Sequence, residues 1–145
     1  MTTAVVVEEI ECPTIEELIA ESEELIRELV KALYRSITKA ADVSVIPKIY
    51  ISKRMDTNDK ASYLPGENLI ILSAVNLQNK DVEYIAYVLA HEVWHHKQWE
   101  DGETFESYIT PSADRAGYAN QRVEQEANDF AESLFPGALT YMGGR

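Results

Sequence analysis

The sequence predicts a single α+β domain over residues 1–145, on three observations. Stretches near both ends carry apolar residues at helical spacing, and a run rich in β-branched residues lies between them. A further helical stretch, in the second half of the chain, is apolar on nearly every side, as a buried helix is. With 145 residues, 46% hydrophobic and 26% charged, the chain can bury a core yet is short for two domains.

The elements follow in order. Val5 to Ile10 is a short strand or a loose arm, since six residues of mixed pattern do not decide. Thr14 is a helix cap, with Glu17 three residues on, and Ile15, Leu18, Ile19, Leu25, Ile26, Leu29 and Leu33 trace an amphipathic helix to about Lys39. Val43 to Ser52 reads as a strand that Pro47 makes an edge or a bulge, and the polar run Lys53 to Lys60 reads as a loop. In "ASYLPGENLIILS" two short strands flank the turn Leu64-Pro65-Gly66-Glu67, where proline presets φ and glycine accepts a positive one. Asp81 to Trp99 is the buried helix, Asp101 to Pro111 an acidic loop, and Ser112 the cap of a third helix that Pro136-Gly137 ends. The last nine residues, "GALTYMGGR", are a tail.

Charge and composition narrow the function. A net charge of -12 repels phosphate backbones, so direct nucleic-acid binding is not expected. The same acidity would attract basic peptides, or let the chain bind a DNA-binding protein partner by mimicry. No apolar run approaches the roughly 18 residues of a membrane span. "MTTAVVVEEIE" has no basic region ahead of its apolar run, so a cytoplasmic address is expected. Cys12, the single cysteine, fits a reducing compartment and would cap a metal only if it reached one.

All three histidines fall within "LAHEVWHHKQWED", Leu89 to Asp101. His91 and His95 are four residues apart on the buried helix, so both side chains leave one face and can reach a single ion. Such a pair suits Zn²⁺, which takes imidazole nitrogens at about 2.0–2.1 Å. Glu92, rotated about 100° from His91, flanks the ion and is free to act as a base. His96 points elsewhere and is not expected to be a ligand. A carboxylate on a buried helix is expensive unless something compensates it, and a cation would.

With no histidine left, the third ligand should be a carboxylate. Asp101, Glu103 and Glu106 sit on a loop, whereas Glu124 and Glu126 sit on the last helix, which holds ligands more rigidly. Those two flank its apolar stripe by about 80° on opposite sides, so periodicity does not choose between them. Asn128, four residues after Glu124, favours Glu124, because its amide could orient a metal-bound histidine.

"HEVWH", followed 29 residues after its second histidine by "EQEANDFAESLFP", resembles the small gluzincin metallopeptidases of the ImmA/IrrE type, whose motifs are HExxH and ExxANxFA. The resemblance covers roughly Ala61 to Pro136. It implies a minimal zincin-like domain: a long N-terminal helix, a small mixed sheet with an edge strand, the HExxH helix, and a C-terminal helix carrying the third ligand. It maps that ligand onto Glu124 and an orienting role onto Asn128, and it departs at Trp94, where the family often has glycine.

The expected activity is zinc-dependent peptide hydrolysis, with one Zn²⁺ held by His91, His95 and Glu124 and a metal-bound water activated by Glu92 as general base. The substrate, a peptide or protein, would pair with an edge strand at Leu69 to Ser73. Tyr118, with Tyr108 behind it, is the candidate donor for the developing oxyanion. Two rivals remain. One is a catalytically silent or latent acidic zinc protein that acts by binding a protein partner, with the tail or Cys12 blocking the site as one form of latency. The other is a non-haem iron site, since two histidines and a carboxylate also describe the facial triad.

Overall fold

A computed structural model of the chain describes residues 11–139. The strand or arm expected at Val5 to Ile10 lies outside them, as does the tail beyond residue 139.

Helix α1 (Ile15–Ala41) begins where the cap predicts, with Thr14 Oγ1 accepting from the Glu17 N–H at 3.1 Å. Ile19, Ser22, Ile26 and Leu29, spaced by three and four, form its buried stripe. Asp42, at φ 57°, closes the helix in the left-handed conformation, and its N–H returns to the Lys39 carbonyl.

Strands β1 (Lys48–Ser52), β2 (Ala61–Leu64) and β3 (Leu69–Ser73) form one mixed sheet in the order β1-β3-β2. β1 runs parallel to β3 with Lys48 opposite Leu69, and β2 runs antiparallel with Leu64 opposite Leu69. The β2–β3 turn is as expected: the Glu67 N–H donates to the Leu64 carbonyl at 3.2 Å, and Gly66 takes φ 85°.

Leu69–Ser73, expected to be the edge, is instead the central strand. "LIILS" is apolar on both faces, with Ile70 and Leu72 fully buried, and such a strand gains by pairing along both sides. The edges fall to β1, which follows Pro47 and exposes Lys48 and Tyr50, and to β2.

Helix α2 (Val82–Glu100), capped by Asp81, runs through the middle of the fold and packs against α1, α4, β2 and β3. Ile85, Leu89 and Val93 are wholly buried in the core between them. The third helix departs from expectation. It is divided into α3 (Arg115–Asn120) and α4 (Arg122–Leu134), and its cap is Asp114 rather than Ser112, with Oδ1 accepting from the Gly117 N–H at 3.1 Å. Gln121 is extended at the division, where its carboxamide accepts from the Ile109 N–H at 3.0 Å and donates to the Ile109 carbonyl at 2.7 Å. That clamp pins the preceding loop to the α3–α4 corner.

Beyond α4 the chain turns toward the start of α2, where the Gly137 N–H meets Glu83 Oε1 at 3.2 Å and Ala138 is buried. Glu83 lies eight residues before His91, about 12 Å along the helix axis. Residues 137 and 138 thus sit by the start of α2, and the tail beyond residue 139, which one form of latency would fold into the cleft, lies outside the described residues.

Candidate metal centre

α2 presents His91 and His95 one turn apart on the face that meets α4, and α4 supplies Glu124 from its first turn. The three side chains converge. His91 Nε2 and His95 Nε2 are 3.1 Å apart, Glu124 Oε2 is 2.9 Å from His91 Nε2, and Glu124 Oε1 is 2.9 Å from His95 Nε2. Ligands at 2.0–2.1 Å on a tetrahedral ion stand about 3.3 Å apart, so small rotations would admit one. Two nitrogens and a carboxylate oxygen, all bearing lone pairs, crowd together only if a proton or a cation lies among them. Their donor set and spacing fit a divalent metal ion.

Burial and partners tune each group. Glu124, only 2% exposed, also accepts the hydroxyl of Tyr108 on Oε1 at 2.8 Å and that of Tyr118 on Oε2 at 3.0 Å. Burial alone would raise its pKa, but the hydrogen bonds and charges of His91 and His95 outweigh it and hold the carboxyl well below the usual range. For His95 burial works downward, yet Glu124 and Glu92 raise it to about 9. Burial pushes both tyrosine phenols up, reinforced by Glu124, so they stay protonated donors.

Glu92 is 8% exposed, lines the same cleft, and has no hydrogen-bond partner among the described residues. Its pKa is raised by desolvation, against the pull of His95 and His91. A desolvated carboxylate with open lone pairs beside the cluster is a competent proton acceptor.

These shifts make the metal-free protein sensitive to pH. His95 rises from 6.5 to about 9 on folding, so its contribution is complete below pH 6.5 and is lost as pH climbs through about 9. Glu124 falls below 4.5, so its contribution is present above pH 4.5 and lost as pH drops through its folded value. Glu92, raised on folding, adds a cost as it ionises above 4.5. Urea melts in chelator should therefore show stability declining between pH 6.5 and 9, and a flat profile there would contradict this electrostatic picture.

A cleft of about 820 Å³ opens over the cluster. Ala61, Ser62 and Tyr63 of β2 form one wall, and Tyr108, Thr110 and Tyr118 another. Asn76 fixes the Lys53 to Lys60 loop at its rim, donating to the carbonyls of Thr57 at 2.9 Å and Asp59 at 2.8 Å. Phe105, in the left-handed region at φ 59°, sets its ring edge-on to His95 with centroids 5.8 Å apart.

The sequence places His91, Glu92, His95, Glu124 and Tyr118 together, and the structure does so. Asn128 is a correction. Its Oδ1 accepts from Tyr87 at 3.2 Å, and neither histidine is its partner. The side chain on His95 is Gln98, at 2.8 Å from Nδ1. Its position three residues along the same helix was the available signal. His96 stays out of the cluster, held by the Val45 carbonyl at 2.7 Å and the Tyr63 hydroxyl at 2.8 Å. Cys12 is exposed and is not part of the cluster. Trp94, the departure from the family pattern, stacks on Phe130 with centroids 4.7 Å apart and so cements α2 to α4.

No helix among the described residues is long and apolar enough to cross a membrane. The chain matches no known family model, no curated protein and no solved structure, so the likeness to small gluzincins rests on the motif residues themselves.

Proposed function

We propose that the protein is a zinc-dependent metallopeptidase of the small gluzincin kind. One observation carries this reading: three metal-ligating side chains from two helices converge beside a buried, unpartnered carboxylate in an open cleft. His91, His95 and Glu124 would hold the ion. When bound, Zn²⁺ supplies Lewis-acid polarisation and acidifies water toward a pKa of about 7.

The chain's own residues carry the remaining work. Glu92 takes a proton from the attacking water and returns it to the departing amine. Tyr118 and Tyr108 each spend their single hydroxyl proton on the Glu124 carboxylate, so Tyr118 would serve the oxyanion on the substrate carbonyl only by turning its hydroxyl from Glu124 to the substrate.

β2, rather than Leu69–Ser73, is the strand available to a peptide at this cleft. The Ser73 N–H bonds the Lys60 carbonyl at 2.9 Å, which sets the phase of the β2–β3 ladder. By alternation Ser62 and Leu64 turn their backbone groups toward β3, and Ala61 and Tyr63 turn theirs outward. A substrate strand would bond to Ala61 and Tyr63. Ala61→Pro removes one outward donor and spares the ladder, so KM should rise about 10-fold at unchanged zinc content. An unchanged KM would place the substrate elsewhere.

The direct test is hydrolysis of a mixed peptide library by the full chain, analysed by mass spectrometry. Cleavage that a chelator abolishes and added zinc restores supports the reading. A zinc-loaded protein that cleaves nothing in the library counts against it.

A further inference from the structure

Gln98 lies three residues after His95 on α2 and is 6% exposed. Its carboxamide reaches three partners. Nε2 is 3.0 Å from the Val123 carbonyl and 3.1 Å from Glu126 Oε1, and Oε1 is 2.8 Å from His95 Nδ1. The Val123 carbonyl only accepts hydrogen bonds, so the NH₂ end of the amide must face it. The amide oxygen is thereby forced toward the imidazole.

An amide oxygen also only accepts, so His95 Nδ1 must carry a proton. In a neutral imidazole the other nitrogen then keeps its lone pair. That nitrogen is Nε2, the atom 2.9 Å from Glu124 Oε1 and 3.1 Å from His91 Nε2. The orientation of the metal ligand thus follows from a backbone carbonyl on another helix.

We infer that Gln98 is the positioning residue of the metal centre, fixing the His95 tautomer and ring so that Nε2 is offered to the ion. The inference rests on the metal reading above. Gln98 acts on a second ligand as well, because Val123, the residue it clamps, immediately precedes Glu124. One side chain therefore orients His95 and sets the approach of the α4 turn that carries Glu124. Glu126 extends the connection outward through Arg122, which also pairs with Glu103 at 3.1 Å in the loop after α2.

A purely structural bridge between α2 and α4 would need only the donor end of the amide. Two variants of the full chain separate the roles. Gln98→Leu loses both ends, whereas Gln98→Glu, made in a Glu126→Gln background so that the new carboxylate meets an amide donor and not a second carboxylate, keeps an acceptor for His95 and loses the donor to Val123. The readout is zinc Kd by competition with a chromogenic chelator, alongside thermal melts of the metal-free proteins.

Gln98→Leu should bind zinc about 10- to 100-fold more weakly, with Gln98→Glu recovering most of that loss. Wild-type affinity in Gln98→Leu would overturn the inference. So would equal weakness in both variants, since the bridge alone would then explain the effect. If Gln98→Leu does not fold, nitrogen-15 NMR of the zinc-loaded wild type decides. A slowly exchanging Nδ1–H on His95 supports the inference, and zinc on Nδ1 or a fast-exchanging Nδ1–H overturns it. Failure of the wild type to bind zinc is a separate outcome, which removes the metal reading and this inference with it.

Discussion

Replacing Glu92 by glutamine is expected to leave zinc in place and to lower peptide turnover by about 10²- to 10⁴-fold. Glutamine matches glutamate in shape, so the helix, the cleft and the three ligands should persist. What is lost is proton affinity. Glu92 has no hydrogen-bond partner among the described residues, so its carboxylate holds nothing together that an amide would release. Burial raises its pKa above the usual carboxylate value, and an amide in its place cannot accept a proton. The measurement pairs kcat with zinc content on the same preparation. Full turnover in Glu92→Gln would remove Glu92 from the mechanism, and turnover lost together with zinc would make it a structural residue.

Glu124→Ala should have the second large effect, on metal and on stability at once. The carboxylate is the anionic member of the cluster and receives two imidazoles and two tyrosine hydroxyls. Removing it leaves four polar groups without their acceptor, His95 buried and His91, Tyr108 and Tyr118 partly so, and breaking such a network around a buried carboxylate costs about 3–5 kcal/mol. In chelator, urea melts should show that loss in the metal-free variant, and zinc binding should fall below stoichiometric in its absence. Stoichiometric zinc in Glu124→Ala would move the third ligand to another acid.

The histidine face of α2 was legible because helix geometry is local. Four-residue spacing alone places His91 and His95 on one side, with Glu92 beside them. Periodicity did not choose between Glu124 and Glu126, since both flank the apolar stripe of α4, and it was the likeness to the ExxANxFA motif that pointed to Glu124. The structure separates them by their partners. Glu126 leans out to Arg122 with a side chain 42% exposed, while Glu124 turns inward to the histidines. Asn128, read as an orienting amide from its four-residue spacing to Glu124, meets Tyr87, one turn before His91. Spacing within one helix does not tell which residue of a second helix lies opposite.

Longer-range features were hidden for the same reason. "LIILS" announces a buried strand, but its place between β1 and β2 depends on the parallel pairing with β1, across a polar loop and a hairpin. The break between α3 and α4 rests on the Gln121 clamp to Ile109, twelve residues away and invisible to periodicity. Both features matter to function. The first makes β2 the strand that borders the cleft, and the second pins the loop that brings Tyr108 to Glu124.

Metal content per chain, by inductively coupled plasma mass spectrometry on tag-free protein purified without added metal or chelator, tests the proposed centre most directly. A value close to one zinc per chain is the expected result. No metal, even after zinc is offered back to the folded protein, would contradict it and turn the cluster of His91, His95 and Glu124 into a buried ionic network of the core.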